Sequence, residues 1–265
     1  LFTQKTELDS RNLMLINDKE YTVDLKVRGQ RKYLVDLNKS NLSVLADVSN
    51  IEGTGTHTVY TSVVIPYGNV EVMNQDPSII TVTVDEVIEE EKDIYVNTNG
   101  EPAEGYKVGS IKTTPAKMKI RGAKSIVGSI DHVSATVDVS GKSEDISSVE
   151  HFELIGSTDT VISSTYVTTA QDTVDVHCEI LKKKTLNIEP KFEDGLNNDD
   201  EWYTLDDNSL KSIEVAGAAS VIDSLDKAET QTITRQMIGD DEEVEVELTL
   251  PTGVESLDGN KVTLK

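Results

Sequence analysis

Met118-Lys119-Ile120-Arg121-Gly122, followed by Val127 and Ile130 five and eight residues beyond the glycine, is a phrase this chain repeats. Leu25-Lys26-Val27-Arg28-Gly29 with Leu34 and Leu37 is a second copy, and Ile213-Glu214-Val215-Ala216-Gly217 with Ile222 and Leu225 a third. Each copy places apolar residues four and two positions before the glycine, the period of a strand with one buried face. The glycines stand 93 and 95 residues apart (29, 122, 217). That spacing is too long for a solenoid unit and suits a small domain. A second landmark recurs as well: Ile65-Pro66-Tyr67-Gly68 lies 37 residues beyond its motif glycine, counted to the proline, and Leu250-Pro251-Thr252-Gly253 lies 34 beyond its own. The expected organisation is therefore three similar domains, at 1–88, 89–181 and 182–265.

Composition sets the class. Of 265 residues, 37% are hydrophobic and 28% charged, a balance that fits a folded chain rather than a disordered one. Val, Ile and Thr recur, and β-branched side chains suit a pleated surface. The net charge is -23, from 48 acidic against 25 basic residues. A phosphate backbone or an anionic membrane surface would be repelled by such a chain unless a local basic patch existed. Lys182-Lys183-Lys184 is the compact basic run, and it reads as a solvated linker at a domain boundary. Nucleic acid is excluded as an expected partner on this ground.

Strand periodicity continues between the landmarks. Tyr21–Val27, Val44–Val48, Val59–Ile65 and Ile79–Val84 alternate in the first repeat, and Val133–Val139, 150–156 and 162–169 supply strands in the second. Val244–Leu250 alternates strictly in the third. Helix is confined to one or two turns after each motif glycine, where apolar residues recur every three to four positions, with Ser125 or Ser220 as expected N-caps.

No nucleophile, metal-ligand or phosphate-loop signature stands out in the sequence. Cys178 lies in Val174-Asp175-Val176-His177-Cys178-Glu179-Ile180, where alternation places it on the apolar face. It reads as a core residue, and one cysteine cannot form an intrachain disulfide. Asp175, His177 and Glu179 share the other face, which could in principle hold a metal; the favoured reading is an exposed polar strand face. The remaining histidines, His57, His132 and His151, are scattered. The acidic stretch 194–201, Asp206-Asp207-Asn208 and Asp240-Asp241-Glu242-Glu243 lack the spacing of a calcium loop and read as solvated turns. Trp202-Tyr203 and Tyr67 are aromatics beside loops, able either to anchor a partner or to fold back over a small core. No catalytic, cofactor-binding or metal residue is assigned, and no cofactor is expected.

The motif strands, the Val133-Ser134-Ala135-Thr136-Val137-Asp138-Val139-Ser140-Gly141 stretch with its counterpart Val44–Ser49, and closing strands that run through charged joints at Val82–Ile94 and Val174–Ile188 together resemble the YbbR domain. In the third repeat, Ala228-Glu229-Thr230-Gln231-Thr232 departs from the Val-Asp-x-Ser-Gly ending. The resemblance implies an all-β tandem array of three small domains, similar to the C-terminal domain of ribosomal protein L25, with at most short helical turns. It also implies a non-catalytic, extracytoplasmic, membrane-anchored bacterial regulator whose partner is a membrane diadenylate cyclase, the enzyme of cyclic di-AMP synthesis. The start at Leu1, without Met, goes with the expectation of an anchor or leader upstream, and no run of eighteen apolar residues lies within the chain. A cell-surface stalk or adhesin-type binding module is the alternative, because tandem β-domains also serve as spacers.

Overall fold

The computed structural model describes residues 2–16, 20–38, 40–194, 211–238 and 243–264. In chain order the first elements are β1 (Phe2–Thr3), α1 (Lys5–Ser10), β2 (Leu13–Leu15), β3 (Asp24–Gly29), α2 (Arg31–Leu34), β4 (Ser43–Asp47), β5 (Gly55–Val64) and β6 (Val70–Asp76). They are followed by β7 (Ile79–Asn99), β8 (Tyr106–Thr114), β9 (Lys117–Ala123), α3 (Lys124–Val127), β10 (Ile130–Asp138), β11 (Ile146–Gly156) and β12 (Val167–Thr169). The last are β13 (Thr173–Phe192), β14 (Ser212–Gly217), α4 (Ala219–Ile222), β15 (Lys227–Ile233), α5 (Arg235–Ile238), β16 (Val244–Thr249), β17 (Val254–Ser256) and β18 (Lys261–Leu264). The fold is all-β, and among the described residues the longest helix has 6 residues.

Two compact units make up the chain. The first comprises Leu1–Tyr95, Lys117–Ser134 and Glu153–Asp172; the second comprises Val96–Ala116, Ala135–Phe152 and Thr173–Lys265.

In the first unit, β1 runs parallel to β4, which pairs antiparallel with β5, which in turn pairs antiparallel with β7. Alternation decides which side is buried: Ala46 and Val48 point inward with Val59, Ile80, Val82 and Val84, joined by Leu8 of α1 and Leu13 of β2. β3 pairs with β6 in a separate two-stranded sheet, from Asp24 opposite Asp76 to Gly29 opposite Val70. β9 lies between β7 and β12, with Met118, Ile120 and Val127 fully buried.

In the second unit, β13 pairs with β8 and β11 along its first half, then with β14 and β15 along its second. The core here gathers Leu186, Ile213, Val215, Ile222, Ala228, Ile233, Val246 and Leu248. β15 forms although its sequence departs from the pattern of the other repeats. It pairs parallel with β13 through a register shift between Glu189 and Lys191, and Thr230 sits buried at that shift, its hydroxyl accepting the Lys191 N–H at 3.0 Å.

The motif glycines mark a shared local geometry. β3 and β14 end at the glycine and β9 one residue beyond it; each is followed by one helical turn, and each pairs at the glycine with another strand, β6, β12 or β17. A Cβ on Gly29 would come within 2.9 Å of the Asn69 carbonyl oxygen, and one on Gly217 within 2.9 Å of the Gly253 carbonyl oxygen. On Gly122 it would overlap the Tyr166 carbonyl and sit 2.9 Å from the Val167 Cα. Glycine is needed for close backbone approach.

Three expectations need correction. Ser125 and Ser220 are not N-caps; Ala123 and Ala218 occupy those positions without a side-chain cap. Lys182–Lys184 is not a linker, because it lies inside β13, which runs unbroken from Thr173 to Phe192 through the charged run. The strand expected from Tyr21 starts at Asp24.

Candidate functional site

The segments that carry the chain from one motif unit to the next are two long strands, β7 with 21 residues and β13 with 20. In the first joint, residues 87–93 of β7 pair antiparallel with β9, from Val87 opposite Ala123 to Asp93 opposite Lys117. One face of the ladder carries Glu89, Glu91 and Asp93 against Arg121, Lys119 and Lys117. Lys117 Nζ lies 3.0 Å from Asp93 Oδ1, and Lys119 Nζ lies 3.9 Å from Glu91 Oε1. The Asp93 hydrogen bond and charge raise the pKa of the Lys117 ammonium above its ordinary value. Such exposed pairs contribute little stability each, but like charges directly opposite would oppose the register, so the pattern selects it.

Asp85 begins this joint. Its Oδ2 accepts the Ser125 N–H at 2.8 Å and the Ser125 hydroxyl at 2.6 Å, and its Oδ1 accepts the Glu86 N–H at 2.8 Å. Partial burial pushes the Asp85 carboxyl up, but the Ser125 and Glu86 hydrogen bonds and the Lys124 charge outweigh it and hold the pKa below the usual carboxylate value. Lys124 Nζ also donates to Glu86 Oε2 at 2.7 Å.

The second joint reverses the charges. Residues 182–187 of β13 pair with β14, from Lys182 opposite Gly217 to Asn187 opposite Ser212. Lys182 Nζ meets Asp223 Oδ1 at 2.5 Å, and Lys183 Nζ lies 3.6 Å from Glu214 Oε1. Lys184 Nζ donates to the Leu225 carbonyl at 2.5 Å and reaches the Ile222 carbonyl at 3.4 Å, serving backbone acceptors at the end of α4. Each lysine of the basic run is thus engaged.

Beside this joint lies an open groove of about 490 Å³, lined by Lys107, Gly109, Ser110, Glu179, Gly253 and Glu255 among others. Its charged groups are committed to neighbours: Lys107 Nζ to Glu255 Oε1 at 2.6 Å, and Ser110 Oγ donating to Glu179 Oε2 at 2.7 Å.

The residues singled out in the sequence fall as follows. Cys178 is fully buried, and burial, with Asp145 and Glu179 behind it, pushes its thiol pKa up. Glu179 is tied to Ser110 and His177 Nδ1 sits 3.1 Å from Ser147 Oγ, so these side chains of the polar face have local partners. Among the described residues no three His, Cys, Asp or Glu side chains gather where a metal could be held. Tyr67 folds back onto Tyr33, with ring centroids 5.4 Å apart. The acidic stretch beyond Asp194, Trp202-Tyr203, Asp206-Asp207-Asn208 and 240–242 lie outside the described residues. Sequence reasoning missed Asp85, and its signal is a non-local one: the Asp–Ser contact spans 40 residues. It also missed an exposed cross-strand pair, Tyr60 and Ile79, 74% and 41% exposed on the outer face of β5 and β7.

Residues 3–84 and 93–177 each match the YbbR-like protein family. The chain belongs to the YbbR-like family. A curated relative, the CdaA regulatory protein CdaR of Bacillus subtilis (strain 168), is 24% identical over 256 residues, covering 92% of this chain and 50% of the relative. The chain thus spans half the length of that protein. Among solved structures, a YbbR-like protein from Streptococcus pneumoniae aligns with a TM-score of 0.34 at 15% identity, covering 64% of this chain and 93% of that one. SuR18C from Streptococcus thermophilus aligns with a TM-score of 0.27 at 23% identity over 36% and 84% of the two chains. Among the described residues no helix is long and apolar enough to cross a membrane.

Proposed function

We propose that this YbbR-like chain is a non-catalytic regulatory module of a membrane-anchored bacterial protein, placed outside the cytoplasm, that modulates a membrane diadenylate cyclase. The observation that carries the reading is the match to a protein named for regulating CdaA, which extends over 92% of this chain rather than over one repeat. The three-repeat division at 1–88, 89–181 and 182–265 is part of the proposal. Regulation by such a module acts through differential contacts with its target, since binding shifts an equilibrium only where it favours one state. The test is to delete the encoding gene in its own bacterium and measure cellular cyclic di-AMP, then restore the gene. A changed level that the restored gene reverses is expected. An unchanged level, together with failure of the cyclase to co-purify with the protein from solubilised membranes, would overturn the reading.

A further inference from the structure

The outward faces of the first and third repeats differ at positions that the landmark prolines align. Six, four and two residues before Pro66 stand Tyr60, Ser62 and Val64 of β5; the same steps before Pro251 reach Glu245, Glu247 and Thr249 of β16. All six side chains are exposed. In the third repeat this face is laced with ion pairs, Lys261 Nζ to Glu245 Oε2 and Lys227 Nζ to Glu229 Oε1, each at 3.3 Å. In the second, the polar face of β13 carries Asp175, His177 and Glu179. The first repeat has no charge on the outward side of β5 and β7: Tyr60 stands opposite Ile79, Thr58 opposite Thr81 and Thr56 opposite Thr83. Tyr60 is 74% exposed, Val64 49% and Ile79 41%. Asp47, the last residue of β4, borders this face and accepts the Ser49 N–H at 2.9 Å. A charged face serves the same fold in the third repeat, so folding does not demand the uncharged one.

We infer that the outward face of β5 and β7 is where two copies of this chain meet. Charge argues for a second copy as the occupant. Each copy carries -23, so copies repel wherever carboxylates face each other, and the paired residues of β5 and β7 bring none to the contact. Symmetry argues for it as well, because a two-fold contact must be self-complementary. Threonine and serine hydroxyls both donate and accept, so rows of them can pair with their own image, as a row of one charge cannot. Tyr60 and Ile79 supply an apolar anchor within those rows.

Size sets the strength. The 10 residues of β5 give a face about 33 Å long and, over two strands, about 10 Å wide. That is well under the roughly 800 Å² per partner of a standard interface, so the pairing is weak and depends on concentration. The inference does not rest on the proposed regulatory role.

Sedimentation equilibrium of the whole chain tests it. The mass is expected to rise from one chain towards two as concentration approaches about 1 mM. The rise should be steeper at about 0.5 M salt, which screens repulsion between the acidic surfaces outside the contact. Tyr60→Lys is expected to weaken dimerisation about tenfold or more, and Thr58→Lys, on the same face, to act likewise. Thr249→Lys makes a single-charge change at the third repeat's position matching Val64, and should leave dimerisation unaltered. Thermal melts like that of the unaltered chain establish that each variant is folded, as substitution of exposed side chains should allow. A chain that stays single at every concentration and salt, or folded Tyr60→Lys and Thr58→Lys variants that dimerise as well as Thr249→Lys, would overturn the inference.

Discussion

Asp85, inside the long strand β7, holds both the backbone N–H and the hydroxyl of Ser125, at 2.8 and 2.6 Å. The α3 N-terminus is thus capped by a carboxylate from another strand instead of by its own serine. Removing it leaves an unsatisfied helical N–H. Asp85→Ala is expected to cost about 1 kcal/mol, the usual loss for a helix cap, read as a lower urea midpoint at pH 7. Its pH dependence has a definite sign. The folded carboxyl titrates below the ordinary 3.8, so its contribution is present above that value and is lost as pH falls through the folded pKa. The stability gap between wild type and Asp85→Asn should close on acidification, as pH falls below 3.8 and through the folded pKa. A gap that is constant with pH would refute the charged cap.

The motif glycines should differ in tolerance. At Gly122 a Cβ overlaps the Tyr166 carbonyl, whereas at Gly29 and Gly217 the nearest carbonyl stands 2.9 Å away. Gly122→Ala is expected to destabilise by about 2–3 kcal/mol, as overpacking against backbone does, and the other two by less. Gly53, with nothing within 4 Å, serves as the control: Gly53→Ala should be neutral or stabilise by up to about 1 kcal/mol. Equal losses at Gly122 and Gly53 in thermal melts would remove the close-approach explanation.

What the sequence made legible depends on the range of the interaction. The motif strands and the place of Cys178 on its apolar face both follow from alternation along one strand. The basic run was misread because composition sees three adjacent cations and not their partners, Asp223, Glu214 and the Leu225 carbonyl, which lie on another strand or helix end. Ser125 was misassigned for a similar reason, since its partner lies 40 residues earlier.

The three lysines of the second joint should separate by mutation. Lys184→Met keeps the stem but removes the donor to the Leu225 carbonyl, and is expected to cost about 1–2 kcal/mol. Lys183→Met removes an ion pair at 3.6 Å between part-exposed side chains, and should cost about 0.5 kcal/mol or less. Raising salt to 1 M should abolish the smaller effect while preserving most of the larger, because screening acts on exposed charge pairs far more than on a backbone hydrogen bond. Equal costs, or equal salt sensitivity, would show the run to act merely as positive charge.

Cys178 provides a probe of the second unit that needs no mutation. Its side chain is fully buried between Val176 and Ile180 on the inner face of β13, and burial, Asp145 and Glu179 disfavour the thiolate that thiol reagents attack. At pH 8 an aromatic disulfide reagent should leave the native protein unmodified over minutes and react at once in denaturant. Between those limits the labelling rate should rise with urea in parallel with opening of β13 from β8 and β11, the strands paired to its two edges at Cys178. Asp145→Asn should leave the native rate low, since burial is the larger of the causes and persists when the charge is gone. Rapid labelling of the folded chain would instead place Cys178 at an accessible surface and contradict the packing of this strand.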